Sequence, residues 1–218
     1  MTNPSAEVSS NVVAALTAWA CRSGRVPPWR NRREPYQLAV AEILLQKTKA
    51  DDAEAVWRDV LAAYPHPCDL AVAQDAEVEH LVASLGLRRQ RTGRLKAMAA
   101  ALCRGGNNGK IPGLGPYASA IIDLSAGIDP VEVPVDGNIA RVIARLHGLT
   151  FERGEPRKKQ AVKEVVLALM STSGKPGGKL RTVYALVDLG ATVCTPRIPS
   201  CSACPLVRYC KSAPTGCG

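Results

Sequence analysis

The dominant pattern in the chain is a recurrence of apolar residues at spacings of three and four, which is typical of amphipathic helices. It predicts nine helices, over residues 6–21, 35–46, 51–63, 76–85, 92–103, 117–126, 138–147, 158–170 and 180–193. Only residues 131–135 (VEVPV) alternate as a strand does, and this segment is short and contains a proline. The sequence therefore predicts an all-α fold without a sheet.

Segments rich in glycine, proline and charged residues separate these helices. They cover residues 25–35, 104–116, 127–137, 152–159 and 173–178. The 218 residues, 46% of them hydrophobic, suffice for one large domain or two small ones with a buried core. The N-terminus lacks the pattern of a signal peptide, and no stretch approaches the roughly 18 apolar residues of a membrane span. We therefore expect a cytoplasmic protein with no membrane association.

The charge of the chain narrows the class of partner. Lys and Arg number 28 against 19 Asp and Glu, which gives a formal net charge of +9. Such a balance favours a polyanionic partner, either a nucleic acid or a membrane surface, and charge alone does not decide between them.

The cysteines are distributed unevenly along the chain. Five of the eight lie in the last 25 residues, whereas Cys21, Cys68 and Cys103 stand alone. A secreted chain stabilised by disulfides would spread its cysteines more evenly, so the asymmetry indicates a local metal site instead.

Four of the clustered cysteines have the spacing C-x6-C-x2-C-x5-C. They are Cys194, Cys201, Cys204 and Cys210. Four thiolates this close in sequence can surround one soft metal centre, either a zinc ion or a four-iron cluster. The spacing by itself leaves both alternatives open.

The chain resembles the superfamily of endonuclease III and adenine-DNA glycosylase, whose [4Fe-4S] loop has this cysteine spacing. Other motifs of that superfamily stand upstream in the same order: PWR (28–30), AEILLQKT (41–48), IPGLGPYASAI (111–121), VPVDGN (133–138) and DLGATVC (188–194). The resemblance implies a [4Fe-4S] cofactor on the four cysteines. It also implies two helical domains that flank a DNA-binding cleft. These are a six-helix barrel with a helix-hairpin-helix over 30–135, and a cluster domain formed by 1–29 and 136–218.

Two carboxylates are candidates for catalysis. Asp136 precedes the amphipathic stretch 139–147, where an aspartate is a good N-cap. The resemblance implies that it stabilises a deoxyribosyl oxocarbenium ion and orients the attacking water, with Asn138 fixing its loop. Glu42 lies in the apolar run 38–45, where burial raises the pKa of a carboxyl. The resemblance implies a general acid that protonates the departing base; the structural alternative is an ion pair with an arginine.

Two further segments are candidates for contacts with DNA. In residues 111–116 (IPGLGP), Gly113 and Gly115 permit a tight turn, which is either a helix corner or a phosphate cradle. The resemblance identifies this turn as the hairpin that binds the DNA backbone. The segment before it is shorter than in the family, and Lys110 is expected to compensate by contacting phosphates. By the same resemblance, Gln46, Lys47 and Thr48 enter the base stack as a nucleotide flips out.

Tyr117 separates two reaction types, because relatives that also cut the strand have a lysine there that forms a Schiff base. The resemblance therefore implies a monofunctional glycosylase of base excision repair, a nucleoid-associated monomer acting on double-stranded DNA with a mispaired or damaged base. At Ala50 and Tyr117 the chain resembles enzymes that remove thymine or uracil opposite guanine. The alternatives are adenine removal opposite guanine or 8-oxoguanine, and a DNA-binding module without catalysis.

Overall fold

The computed structural model describes residues 4–32, 34–105, 111–150, 160–174 and 177–214. Within these residues it contains ten α-helices and no β-strand, so the predicted all-α class is confirmed. The helices are α1 (Pro4–Ser23), α2 (Pro35–Leu44), α3 (Ala50–Ala63), α4 (Pro67–Val72), α5 (Asp75–Leu81), α6 (Arg88–Cys103), α7 (Pro116–Ser125), α8 (Gly137–His147), α9 (Gln160–Ser171) and α10 (Gly178–Thr192). None of them combines the length and the hydropathy that crossing a bilayer requires.

Each of the nine predicted helices corresponds to an observed one, and α4 is an addition. Periodicity does not detect α4 because six residues are fewer than two turns. Its start does carry a local signal: Pro67 occupies the first turn, and the Asp69 carboxylate accepts a hydrogen bond from the His66 amide at 3.1 Å. The predicted helix at 76–85 is shorter than expected, because α5 ends at Leu81 and a 3-10 helix follows at Ala83–Leu85.

The described residues divide into two compact units. The central unit consists of Val26–Pro130, and the terminal unit consists of the residues up to Arg25 together with those from Val131 onward. The central unit contains α2 to α7, and the terminal unit contains α1 and α8 to α10. Helices α2 and α7, which carry Glu42 and Tyr117, pack against each other within the central unit. Helices α8 and α10, which lie next to the candidate residues of the terminal unit, pack against each other within that unit.

Helix α2 lies in the core of the central unit and packs against α3, α6 and α7. Leu38, Ile43 and Leu44 on this helix are fully buried. The rings of Trp29 and Trp57 meet edge to face beside it, with centroids 6.0 Å apart. Packing on several sides holds α2 in place, and with it the side chains at its C-terminal end.

Helix α10 has the same role in the terminal unit, where it packs against α1, α8 and α9. Asp188 on α10 is 2% exposed, and both of its carboxylate oxygens are bound by Arg25. The Arg25 Nε donates to Oδ1 at 3.0 Å, and the Arg25 amide donates to Oδ2 at 3.1 Å. A buried carboxylate is tolerated when it is paired in this way, so the pair ties the end of the α1 segment to α10.

Cys68 and Cys103 are joined by a disulfide between α4 and α6. The prediction that these cysteines stand alone is therefore wrong. The packing of α4 against α6 brings their Cα atoms to 4.9 Å although they are 35 residues apart in the sequence. A pairing set by tertiary packing leaves no signal in cysteine spacing. Cys21 remains a free, exposed thiol on α1.

Removal of the disulfide in a Cys68→Ser/Cys103→Ser variant is expected to lower the free energy of unfolding by about 3–4 kcal/mol, because the crosslink restricts the unfolded chain. Urea unfolding followed by circular dichroism measures the change. Cys21→Ser is the matched control and should stay within about 0.5 kcal/mol of the wild type. Equal unfolding free energies for all three proteins would contradict the role given to the crosslink.

Candidate functional site

Asp136 is the N-cap of α8, as its position before an amphipathic stretch predicts. Its Oδ1 accepts a hydrogen bond from the Ile139 amide at 2.7 Å, and its Oδ2 accepts one from Asn138 Nδ2 at 3.0 Å. The first bond satisfies one of the amides that a helix leaves unpaired at its start. Since each oxygen has a separate donor, the carboxylate is held in one orientation. It is only partly buried and so remains reachable from outside.

Asn138 connects this carboxylate to Arg141 one turn further along α8. Its Oδ1 accepts a hydrogen bond from Arg141 Nη2 at 2.8 Å. Arg141 Nη2 also donates to the Gly190 carbonyl at 2.7 Å, and its Nε donates to the Cys194 carbonyl at 2.8 Å. A continuous chain of hydrogen bonds therefore runs from Asp136 to the backbone of the first cysteine of the C-terminal cluster. Arg141 was not identified from the sequence, where it is one of many arginines.

The four predicted metal ligands do come together in the terminal unit. Cys194, Cys201, Cys204 and Cys210 line one cavity of about 110 Å³. Burial raises the pKa of the Cys204 thiol, and charge on the three other cysteines raises it further, while the Leu206 amide partly offsets both effects. An all-sulfur donor set is the kind that binds zinc or an iron-sulfur cluster. In the described part of the chain, however, no three His, Cys, Asp or Glu side chains are arranged to hold one metal ion.

Arg145, on the same face of α8 as Arg141, contacts the cysteine loop directly. Its Nη1 lies 3.3 Å from Cys194 Sγ and donates to the Thr195 carbonyl at 2.7 Å, and its Nη2 donates to the Pro196 carbonyl at 2.9 Å. These contacts hold the guanidinium beside the Cys194 sulfur. Sequence periodicity places Arg145 one turn after Arg141, but the cysteine contact depends on the loop that follows α10.

Glu42 and Tyr117 lie on α2 and α7, which pack against each other in the central unit. The neighbours Ala41 and Ile43 are buried as the apolar run predicts, whereas Glu42 itself is partly exposed. Tyr117, in the first turn of α7, is also partly exposed. Asp136 belongs to the terminal unit.

The segment Gln46–Thr48 follows the end of α2 and is bound to two other parts of the central unit. The Gln46 Oε1 accepts a short hydrogen bond from Arg94 of α6, and its Nε2 donates to the Gly113 carbonyl at 2.9 Å. Lys47 is exposed and has a φ of 58°, a left-handed conformation that is uncommon outside glycine. Gln46 and Gly113, which sequence motifs predicted separately, are therefore in direct contact.

The turn predicted at 111–116 is present, with the Leu114 amide donating to the Ile111 carbonyl at 3.1 Å. Gly113 has a φ of 82°, and a Cβ there would lie 3.2 Å from the Cβ of Arg94. Both facts favour glycine at this position. Gly115 is the N-cap of α7, and a proline occupies the first turn after it. Lys110, predicted to contact phosphates, lies outside the described residues.

Comparison with known proteins assigns the chain to a family. Residues 40–167 match the HhH-GPD superfamily of base excision DNA repair proteins. The chain is 31% identical over 210 residues to a thymine/uracil-DNA glycosylase of Methanothermobacter thermautotrophicus, covering 92% of this chain and 91% of that protein. It is 35% identical over 202 residues to an adenine DNA glycosylase of Mycobacterium tuberculosis (strain H37Rv), covering 88% of this chain. The chain spans 64% of the length of that relative.

Solved structures share the fold of this chain. A thermostable thymine-DNA glycosylase superimposes with a TM-score of 0.78 at 27% identity, covering 96% of this chain and 98% of that one. Endonuclease III, in a trapped covalent intermediate with DNA, superimposes with a TM-score of 0.69 at 21% identity and shares the fold. The chain belongs to the HhH-GPD superfamily of base excision DNA repair proteins, which confirms the resemblance drawn from its motifs.

Gly190→Ala is expected to destabilise the terminal unit by about 1–3 kcal/mol, because a Cβ at Gly190 would lie 2.6 Å from the Cβ of Asn138. Gly93→Ala is the matched control: it is also a glycine within a helix, it is exposed, and its Cβ would meet nothing within 4 Å. That variant should gain about 0.5–1 kcal/mol. Thermal unfolding measures both changes. A Gly190→Ala variant as stable as the wild type would show that α8 and α10 are not in close contact there.

Proposed function

We propose that this protein is a monofunctional DNA glycosylase that hydrolyses the N-glycosidic bond of thymine or uracil opposite guanine in double-stranded DNA. The observation that carries the proposal is the Asp136 carboxylate, oriented by the Ile139 amide and the Asn138 side chain. Membership of the base excision repair superfamily supplies the reaction class. The protein acts as a monomer in this proposal.

Asp136 acts on the charge that develops during bond cleavage. As the bond between C1′ and the base breaks, positive charge accumulates on the deoxyribose, and a nearby carboxylate stabilises it. The stabilisation is effective because the carboxylate is already oriented and does not reorganise during the reaction. Asn138 and Arg141 maintain that orientation through their own hydrogen bonds. The lone pairs of Asp136 that remain can accept a proton from the attacking water.

Glu42 and Tyr117 complete the proposed chemistry. Glu42 donates a proton to the departing base, which leaves more readily in its neutral form. Tyr117 stands where relatives with lyase activity have a lysine, and a phenol cannot form a Schiff base with C1′. Water is therefore the nucleophile, and the product is an abasic site in an intact strand.

The four cysteines are proposed to hold a [4Fe-4S] cluster, which crosslinks the loop through four thiolate bonds when it is bound. The donor set fits this group in kind, because all four candidate ligands are sulfur and they line one cavity. Four sulfurs also suit a tetrahedral zinc ion, and the cluster is preferred because the C-x6-C-x2-C-x5-C spacing resembles that of the [4Fe-4S] loop of the superfamily.

Contacts with DNA are assigned to the central unit and to Asn138. The amides around Gly113 and Gly115 lie at the N-terminal end of α7, where a helix favours a phosphate. Lys110, which directly precedes this turn in the sequence, is proposed to contact the DNA backbone, and the formal charge of +9 adds long-range attraction. The residues Gln46–Thr48 enter the base stack as the target nucleotide leaves it.

The choice of base rests on Ala50 and Tyr117, which resemble the residues of enzymes that remove thymine or uracil opposite guanine. The thymine/uracil-DNA glycosylase of Methanothermobacter thermautotrophicus is 31% identical to this chain, and a thymine-DNA glycosylase superimposes with a TM-score of 0.78. The mycobacterial adenine DNA glycosylase is nevertheless 35% identical, so removal of adenine opposite guanine or 8-oxoguanine is the second candidate. Duplexes with thymine, uracil or adenine opposite guanine, and adenine opposite 8-oxoguanine, separate the two when treated with alkali after incubation.

On the preferred duplex of that panel, Asp136→Asn is expected to lower the single-turnover excision rate by about 10²–10³-fold while duplex affinity is retained. Asparagine keeps the shape of the side chain but removes the charge that acts in the transition state. Asp59→Asn, at an exposed position on α3, is the control for the same chemical change and should excise at the wild-type rate. An excision rate for Asp136→Asn within about threefold of wild type would remove the basis of the proposal.

The purified protein is expected to contain four irons per chain, and Cys204→Ser is expected to lose them. Iron and acid-labile sulfide assays measure the content, with visible absorption as an independent readout. Cys21→Ser removes an exposed thiol outside the cysteine loop and should keep the full iron content. Stoichiometric zinc without iron after anaerobic purification would contradict the assignment.

A further inference from the structure

Arg91 on α6 is a buried charge that donates to four acceptors at or just past the end of α2, and also to the carbonyls of Leu85 and Gly86 in the turn before its own helix. It is only 4% exposed. Its Nη1 donates to the carbonyls of Ile43 at 2.8 Å and Leu44 at 2.9 Å, in the last turn of α2. These carbonyls are among those that a helix leaves unpaired at its C-terminus, where the helix dipole also favours a cation. Arg91 therefore caps α2.

The same guanidinium continues past the end of the helix. Its Nη2 donates to the Gln46 carbonyl at 3.3 Å and to the Thr48 hydroxyl at 3.1 Å, so it binds the residues on both sides of Lys47. Lys47 has the left-handed backbone conformation, with a φ of 58°. That conformation costs a side-chain-bearing residue about 1–2 kcal/mol and persists only where its surroundings enforce it. Arg91 supplies that restraint from both sides.

One side of the Gln46–Thr48 segment is open, so packing does not fix it there. An open pocket of about 410 Å³ is lined by Gln46, Lys47, Leu87, Gln90, Arg91 and Arg94. Lys47 is exposed, and the pocket beside the segment is lined by α6 and the residue before it. The amides of Gln46 and Thr48 donate to the carbonyls of Ile43 and Leu45. Arg91 adds hydrogen bonds from another helix to the Gln46 carbonyl and the Thr48 hydroxyl, whereas Arg94 binds only the Gln46 side chain.

We propose that Arg91 is a positioning residue that holds the Gln46–Thr48 segment in the conformation that enters a DNA duplex and displaces the target nucleotide. This inference rests on the proposed function. An ordered segment meets the duplex without first losing conformational freedom, which favours the step in which the nucleotide leaves the stack. Without Arg91 the segment samples many conformations, and nucleotide extrusion slows while phosphate contacts elsewhere still support binding.

The test compares Arg91→Met, which removes all the donors, with Arg91→Lys, which keeps the charge but loses the planar set of donors. Val60→Ala is the matched control for stability, because Val60 is fully buried on α3 and its substitution creates a cavity without touching the segment. Hydrogen exchange of the peptide 45–50 reports the order of the segment in the protein without DNA. Stopped-flow fluorescence of 2-aminopurine beside the target base reports extrusion, and single-turnover assays report excision.

Arg91→Met is expected to speed exchange of the peptide at least tenfold and to slow extrusion and excision by about 10–100-fold, with duplex affinity within about threefold of wild type. For Arg91→Lys, the rates of peptide exchange, extrusion and excision should lie between those of Arg91→Met and wild type. If Arg91→Met does not fold, Arg91→Lys is compared with wild type in its place. Val60→Ala should lower the melting temperature yet leave peptide exchange and extrusion unchanged.

Two results would overturn the inference: unchanged exchange of the peptide in the Arg91 variants, or an equal slowing of extrusion in Val60→Ala. A failure of the proposed function gives a different pattern, because the wild type itself would then excise no base from any duplex. The exchange measurement stands in that case, and unchanged exchange would still reject Arg91 as the anchor.

Discussion

An α-helix leaves the amides of its first turn and the carbonyls of its last turn without partners inside the helix, and other groups must satisfy them. In this all-helical protein the candidate functional groups satisfy that requirement. Asp136 pairs an amide at the start of α8, and Arg91 pairs carbonyls at the end of α2. Groups bound in this way have fixed positions, because moving them would expose a helix end. The stability of the fold and the orientation of the candidate site thus depend on the same hydrogen bonds.

Helix α8 shows how far this dependence extends. Its N-terminus carries Asp136, and its C-terminal carbonyls at Arg145 and Leu146 accept hydrogen bonds from the amides of Ser212 and Lys211, just after Cys210. Arg141 joins the N-terminus of α8 to the cysteine loop by binding both Asn138 and the Cys194 carbonyl. The cysteine loop and the candidate catalytic carboxylate are therefore parts of one hydrogen-bonded structure around a single helix. A metal centre in that loop would stabilise α8 without contact with DNA.

Periodicity and end signals explain which parts of the fold and site were predictable. Nine helices are long enough for their apolar pattern to be read, and the position of Asp136 before such a pattern predicted its role as an N-cap. Helix α4 is too short for that pattern. The Cys68–Cys103 pair and the contact of Gln46 with Gly113 depend on packing between distant segments. Arg91 lies in a run of arginines that looks solvent-exposed in the sequence, and only the fold shows that it is buried.

The disulfide has a practical consequence for how the two halves of the molecule are prepared. Cys68 and Cys103 are both exposed residues of the central unit, and exposure favours attack on a disulfide by external thiols. The cysteines of the terminal unit must instead be reduced before any metal binds them. A reducing agent that keeps the cysteines of the terminal unit reduced therefore opens the Cys68–Cys103 disulfide. Air oxidation that forms this disulfide also threatens the cysteines of the terminal unit. The metal should therefore be loaded before mild oxidation, because thiolates that are bound to a metal do not take part in thiol–disulfide exchange. The Cys68–Cys103 disulfide can then form without oxidising them.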